Sequence, residues 1–503
     1  MAKYLLGLDI GSSSIKAALI NSESGEAVAS AQSPSEEMPM LAKNPGWAEQ
    51  DPEMWWEHVV ISIKACIQKS GISGNDVAAI GISYQMHGLV VVGKDHKPLR
   101  PSIIWCDSRA VEIGEKAFAD LKSDYCLSHF LNSPGNFTAS KLKWVKDNEP
   151  ELFSKIHKIM LPGDYIALKL SGEINTTDTG LSEGMFWDYK SATVSKTLLD
   201  YYGISSDLIA DQVPVFSVQS QLRAETAKEL GLAAGIKIAY RAGDQPNNAF
   251  SLNVLNPGET AATAGTSGVI YSVTDKNAFD QKSRVNAFIH VNNGHEAKAV
   301  RNGVLLCVNG TGILNSWLRK NIKGNGSPYD YTEINAIASQ APIGSAGLTM
   351  LPFGNGAERI LENKEINSSF YGLNFNQHNQ SHIFRAAQEG IVFALKYGFE
   401  ILQNMGVQTS VIRAGHANMF LSPLFREAFV NTINAPLELY DTDGAKGAAI
   451  GAGVGSGVYS SFTDAFKGLK MIKSEEPVTN KAAQYDQAYL HWKKNLTNQL
   501  TNK

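Results

Sequence analysis

Cysteine is scarce in this chain. Four occur in 503 residues, at positions 66, 106, 126 and 307, and no two form a C-x-x-C pair. That excludes a disulfide framework and the common cysteine zinc sites, and it predicts reduced thiols in a cytoplasmic protein. Long apolar runs are missing too: nothing approaches the 18 residues that would span a bilayer, and Asp9 interrupts the first apolar stretch before a leader core can form. Net charge is small, with 45 Lys+Arg against 49 Asp+Glu giving −4, so the chain carries no electrostatic footprint for nucleic acid or an acidic membrane. The familiar phosphate loops, G-x-x-x-x-G-K-[ST] and a helix-opening G-x-G-x-x-G, are absent from their required contexts.

Apolar residues are plentiful. At 43% hydrophobic and 19% charged, the chain holds enough material for real cores, which excludes a largely disordered protein. Its length suits two large α/β domains of about 250 residues each. Tyr4 to Ile10 reads as a strand, Gly11-Ser12-Ser13-Ser14 as a tight turn and Ile15 to Ile20 as a second strand. Asp51 to Lys69 carries helical spacing with Trp55, Val59, Ile63 and Ile67 on one stripe, behind an Asp-Pro start signal. Val77 to Ser83 is a buried-strand candidate, with Met86-His87 at its end. The pattern restarts near the middle: strand Ile236 to Ala242, junction Gly243-Asp244-Gln245-Pro246, then a helix from Asn247. Glu259 to Ala264, Gly265-Thr266-Ser267-Gly268 and Val269 to Val273 repeat strand, turn and strand, about half the chain after the first hairpin. Two related α/β halves follow, 1–252 and 253–503. The small-residue run from Gly447 to Gly457 reads as a close helix-packing face, and the end from Lys494 to Lys503 as a frayed tail.

A turn of Gly and small hydroxyl residues leaves backbone N–H groups unobstructed and can hold an anion without a lysine. Gly11, Ser12 and Ser13 in one turn, with Gly265 and Thr266 in the other, could grip a nucleotide's phosphates from two sides; a pair of solvated hairpins is the plainer alternative. Asp9, at a strand end, suits water-mediated Mg²⁺ binding. Asp244 follows an apolar strand and opens a helix, so it is either an N-cap or a general base whose ionised form the helix dipole favours. A carboxylate within reach of a hydroxyl is what phosphoryl transfer to an alcohol requires. Asn418, in Arg413-Ala-Gly-His-Ala-Asn418 after a short strand, sits in a turn that can let an adenine ring lie close to backbone.

These segments together resemble the FGGY carbohydrate kinases, and within them the xylulose kinases. The markers are Gly7-Leu-Asp-Ile-Gly-Ser-Ser-Ser-Ile-Lys16, Trp47 to Trp56, Gly81-Ile-Ser-Tyr-Gln-Met-His-Gly88, Ile104-Trp-Cys-Asp-Ser-Arg109, Phe137 to Trp144, Ala242-Gly-Asp-Gln245, Gly265-Thr-Ser-Gly268 and Ser368 to Leu373, in order from Leu5 to about Gly455. The resemblance implies two actin-like (ribonuclease-H-like) ATPase domains with sugar and ATP meeting in the cleft between them. It implies Asp244 as the base, Met86 and His87 as ketose contacts and Asp9 at the Mg²⁺. It also implies Ser12, Ser13 and Thr266 at the phosphates, Gly310 and Gly415 at the nucleotide, and a homodimer as a common state. Two departures stand out: Arg413-Ala-Gly-His-Ala-Asn418 replaces a Gly-Gly-Gly-Ala adenosine motif, and Gly356-Ala-Glu-Arg-Ile-Leu361 replaces Gly-Glu-Arg-Thr-Pro. The expected reaction is ATP- and Mg²⁺-dependent phosphorylation of D-xylulose to xylulose 5-phosphate. The rivals are a kinase for ribulose, gluconate, glycerol or another polyol, and an actin-like ATP-dependent switch or sugar sensor.

Overall fold

The computed structural model describes residues 3–295, 299–324 and 326–501. The chain opens with an antiparallel meander of β1 (Tyr4–Ile10), β2 (Ile15–Asn21) and β3 (Ala27–Ser33). Helix α1 (Pro52–Ser70) follows, with the Asp51 side chain accepting from the Glu53 amide at its start and left-handed Gly71 at its end. Its buried stripe is Trp55, Val59, Ile63 and Cys66, so the helical spacing in the sequence holds. Next come β4 (Val77–Tyr84), α2 (Thr138–Asn148), α3 (Asp178–Glu183), β5 (Phe216–Gln221) and β6 (Lys237–Gly243). They complete a six-stranded sheet in the order β5-β6-β4-β1-β2-β3, in which β1, β4 and β6 run parallel.

Helix α4 (Asp244–Ser251) leaves β6 without an intervening residue, and a second sheet begins. Its strands are β7 (Glu259–Ala264), β8 (Gly268–Thr274), β9 (Asn286–Ile289), β10 (Asn302–Val308), β11 (Val411–Gly415), β12 (Leu437–Tyr440) and β13 (Met471–Glu475). Around it lie α5 (Gly312–Asn321), α6 (Tyr331–Ala338), α7 (Gln380–Asn404), α8 (Pro423–Ile433), α9 (Gly444–Gly455) and α10 (Thr479–Thr501). The order is β9-β10-β8-β7-β11-β12-β13. Setting β9 aside, the wiring repeats the first sheet: a three-stranded antiparallel meander, two parallel strands, then an antiparallel edge. The duplicated strand-turn-strand grammar is therefore a duplicated sheet.

The halves interlock through α9. This helix follows β12 of the second sheet yet lies on β1 and β4 of the first. A Cβ on Gly7 would stand 1.8 Å from the Ala445 carbonyl, and one on Gly81 would stand 2.0 Å from that of Ala448. Only glycine in the strands lets the helix backbone come this close. The small-residue run thus packs mainly on a sheet, and a strand does precede it. The expectation of a frayed end is corrected by α10, whose Tyr485, Tyr489, Trp492 and Leu496 form one buried helical stripe past Lys494. Residues 502–503 of that expectation lie outside the described residues. The four cysteines are free, and among the described residues no helix is long and apolar enough to cross a membrane.

Candidate active site

The parallel strands β1, β4 and β6 end side by side, which in an open α/β sheet is where a ligand crevice forms. Pairing sets Asp9 and Ala242 each opposite Ser83. The Ser83 hydroxyl donates to Asp9 Oδ1 at 3.0 Å. On its other side Asp9 meets the start of α9, where a Cβ on Gly444 would come within 2.5 Å of Oδ2. Burial raises the Asp9 pKa, Lys16 and the Ser83 hydrogen bond oppose that rise, and the Asp443 carboxylate adds to it. Asp244 is the first residue of α4. Burial, and then the Asp9 carboxylate, push its pKa up to about 7 against the Gln245 amide and side chain. This corrects the expectation that the helix terminus alone keeps Asp244 ionised: desolvation and a like charge outweigh it.

Beyond β4, Met86 is buried with its side chain against Gly243, where a Cβ would be 2.6 Å from the thioether chain. His87 takes a left-handed conformation, φ 62°, at a cost on the order of 1 kcal/mol. Two buried ionisable side chains hold it there. Its N–H donates to Glu183 Oε2 at 3.1 Å, and its carbonyl accepts from Lys141 Nζ at 2.8 Å. Lys141 also donates to the Ile104 carbonyl at 3.0 Å. The His87 ring is neutral, because burial and then Lys141 bring its pKa down to about 3. Its Nδ1 lies 3.0 Å from the Glu183 carbonyl oxygen, which can only accept, so Nδ1 carries the hydrogen and Nε2 keeps a free lone pair. Phe137 and Phe288 pack on the ring at 4.8 and 5.3 Å between centroids. Arg359 stands 5.9 Å over Phe137. Phe288 and Arg359 belong to the second half, so both halves wall this corner.

Lys141, Glu183 and Ser83 were not singled out from sequence. Lys141 lies inside the Phe137–Trp144 marker, which gave no hint of its role; Glu183 stands in a stretch without periodicity. Burial lowers the Lys141 pKa to about 7 and raises that of Glu183.

In the first turn the Gly11 N–H closes the hairpin on the Ser14 carbonyl at 3.1 Å. The Ser12 carbonyl accepts from Gln50 Nε2 at 2.7 Å, and the Ser12 hydroxyl accepts from Trp105 Nε1 at 3.3 Å. The Ser13 carbonyl accepts from the Met38 amide at 2.9 Å. With its carbonyls occupied, the turn gives the Ser12 and Ser13 amides no hydrogen-bond partner among the described residues. In the second turn the Gly265 and Thr266 carbonyls accept from the Gly312 and Ile313 amides at 2.9 and 3.1 Å, docking the turn on the start of α5. Gly265, Thr266 and Asn418 line one cavity of about 460 Å³ with α5 and α6. Gly310 and Gly415 stand behind its walls: the Gly310 amide donates to Glu358 Oε1 at 3.2 Å, and Gly415 ends β11. Glu358 also accepts from the Asn309 amide at 3.0 Å, and burial pushes its pKa up to about 7.

No group of three or more His, Cys, Asp or Glu suited to a metal occurs among the described residues. The hard oxygens of Asp9 beside the like-charged Asp244 nevertheless fit Mg²⁺, which usually takes one or two carboxylates and fills its shell with water and phosphate.

Residues 4–251 match the N-terminal domain of the FGGY family of carbohydrate kinases. The xylulose kinase of Bacillus subtilis (strain 168) is 30% identical over 421 residues, 82% of this chain and 81% of that protein. The chain belongs to the FGGY family of carbohydrate kinases. It is a sugar kinase, transferring phosphate to an alcohol group, and a kinase of this family uses ATP. Two solved structures from Lactobacillus acidophilus share the two-domain actin-like fold. A ligand-bound xylulose kinase superposes with a TM-score of 0.87 at 26% identity, covering 98% of this chain and 97% of that one. A gluconate kinase superposes with a TM-score of 0.88, also at 26% identity, covering 99% and 98%. Overall likeness does not separate the two sugars.

Proposed function

We propose that this FGGY kinase phosphorylates D-xylulose at its terminal hydroxyl with ATP, giving xylulose 5-phosphate, and that Asp244 is the base. The observation that carries the reading is Asp244 itself: a carboxyl at a strand terminus, moved to about 7 by burial and Asp9, in the crevice next to the Met86–His87 segment. At that pKa it is ionised enough near neutral pH to accept a proton, and basic enough to draw one from a hydroxyl as the bond to phosphorus forms. His87 Nε2 accepts from a sugar hydroxyl, while Met86 and Phe137 provide apolar contact. The unpartnered amides of Ser12 and Ser13, with Thr266 across the cleft, receive phosphate oxygens. Asp9 would hold Mg²⁺, which supplies charge neutralisation on the phosphates when bound. In this reading the first half, 1–252, takes the sugar and the second half, 253–503, takes the nucleotide. Closure of the halves would keep water from competing as acceptor.

The xylulose assignment draws on the Gln85-Met86-His87-Gly88 segment and on curated relatives that carry that name. A sugar acid is the rival favoured by one observation, the Arg359 cation beside the His87 corner. Supplying ATP with D-xylulose, D-ribulose, D-gluconate and glycerol, and following ADP release, decides among them. D-xylulose is expected to give the highest kcat/KM; preferred gluconate turnover would overturn the assignment. ATP hydrolysis unaffected by all four would instead indicate a switch or sensor.

A further inference from the structure

The cavity bordered by α5, α6 and the segment before α8 has a polar wall backed by a hydrogen-bonded relay. It begins at the cap of α8, where the Phe425 amide donates to the Ser422 hydroxyl oxygen at 3.2 Å. Ser422 in turn donates its own hydrogen to Gln388 Oε1 at 2.9 Å. Gln388 is fully buried on α7, and with its oxygen occupied its Nε2 donates to Asn335 Oδ1 at 2.9 Å. Asn335 lies on α6 and lines the cavity. Turning its amide over would set two NH₂ groups against each other, so Asn335 is held with Nδ2, a donor, as its free group.

The rest of the cavity offers apolar surface from Ile313, Met419, Leu421 and Tyr331, with Thr266 also in its lining, and its volume of about 460 Å³ is ample for a flat ring. Asn315, on α5, is 6% exposed and lines the same space, and its amide has no hydrogen-bond partner among the described residues, which leaves it available to a ligand.

We propose that Asn335 is a specificity-determining residue for the nucleotide, selecting a 6-aminopurine over a 6-oxopurine; this rests on the reading of the cavity as the nucleotide's. The N1 atom of adenine carries a lone pair that Nδ2 can meet, and the exocyclic amine can donate to Asn315 Oδ1, whose amide is free to turn. Hypoxanthine and guanine bear hydrogen on N1, which sets donor against donor. The selection is made by the Ser422–Gln388–Asn335 relay, outside the altered Arg413–Asn418 motif.

Calorimetric titration of the full-length protein with ADP and with inosine diphosphate tests this without any acceptor sugar. The unaltered protein is expected to bind ADP about tenfold or more tightly than inosine diphosphate, the size of effect an unpaired polar contact produces. Asn335→Leu is expected to lose ADP affinity by about that factor and to bring the two ligands to near equality. Ser422→Ala frees the relay to reverse and is expected to narrow the gap while keeping ADP binding. Equal affinities in the unaltered protein, or an unchanged ratio in Asn335→Leu, would overturn the inference. Ile313→Trp crowds the cavity and separates the two failures. If it leaves ADP affinity intact, the nucleotide lies elsewhere and the premise falls. If it abolishes ADP binding while Asn335→Leu keeps the ratio, the pocket stands and the selection by Asn335 does not.

Discussion

Around His87 the protein's own side chains satisfy the backbone. The backbone N–H and C=O of that residue are met by Glu183 and Lys141, both fully buried, and the ring nitrogen nearest the chain is met by a carbonyl. Around Thr266 the carbonyls are tied to α5, while the Asn335 side chain, held by Gln388 through its oxygen, and the Asn315 amide line the cavity. In one corner buried side chains fix the backbone; in the other the backbone is docked on a helix and side-chain amides line the space. The contrast teaches where discrimination is built. A corner held rigid by buried side chains can reject a wrong hydroxyl arrangement through misfit, because its groups have no freedom to follow. An open amide pocket trades that rigidity for ligand-dependent order.

The largest expected effect comes from removing the proposed base. Asp244→Asn keeps size and hydrogen bonding but cannot take a proton, and sugar phosphorylation is expected to fall by about 10³-fold or more, within the range of general-base losses. Sugar binding, read by calorimetry, should survive. Near-normal turnover would remove Asp244 from the role. Next in size is Lys141→Met, which leaves the His87 carbonyl without its donor and frees the left-handed segment to relax. An expected loss of about 10²-fold in kcat/KM for the sugar, with ADP affinity unchanged, would show that the damage stays in the closed corner. Equal damage to both ligands would mean that Lys141 supports the fold generally.

These two residues differ in how plainly the sequence shows them. Asp244 is legible because an apolar strand running straight into a helix marks a crevice, and one acid stands at the junction. Both hairpins are legible for a similar reason, since Gly-Ser-Ser-Ser and Gly-Thr-Ser-Gly each break two alternating strands, and the repeat of that grammar gives the repeated sheet. Lys141 and Glu183 are not legible. Their work is to meet backbone groups of His87, which stands 54 and 96 positions away, and no local spacing encodes such a meeting. The same limit explains the mistaken protonation of Asp244: the helix terminus is local, whereas Asp9 comes from another strand. The buried tail of α10 was missed because a polar Thr/Asn/Lys composition hid one well-spaced leucine.

A pH profile sharpens the contrast between local and tertiary effects. With its pKa near 7, Asp244 is protonated and idle below that value, so kcat/KM for the sugar should rise about tenfold per unit up to about pH 7 and then level. Asp9→Asn removes the neighbouring charge, and the acid limb should move to lower pH even though the maximum rate falls. A limb that stays in place would show burial alone to be responsible. On the open side, Thr266→Val removes a hydroxyl from the cavity's lining while keeping its volume. It is expected to raise the KM for ATP by about five- to tenfold and leave that for the sugar within twofold, the cost of one hydrogen bond to a charged group.

The smallest effect concerns stability. Because the folded pKa of Asp244 is raised to about 7 from an ordinary carboxylate value near 4, the folded state holds a proton between those limits that the unfolded chain has lost. Folding therefore becomes less favourable as pH climbs from about 4 to 7, and above 7 the full cost of an ionised, poorly solvated carboxylate remains. Asp244→Asn removes that cost. Its Tm should match the unaltered protein near pH 4 and exceed it by about 1–3 °C at pH 8, read by thermal scans at both pH values. A gain of equal size at both pH values would locate the effect in packing and not in the charge. A gain confined to alkaline pH would show that the ionised Asp244 carboxylate is held at a structural disadvantage, as expected of the base proposed for this site.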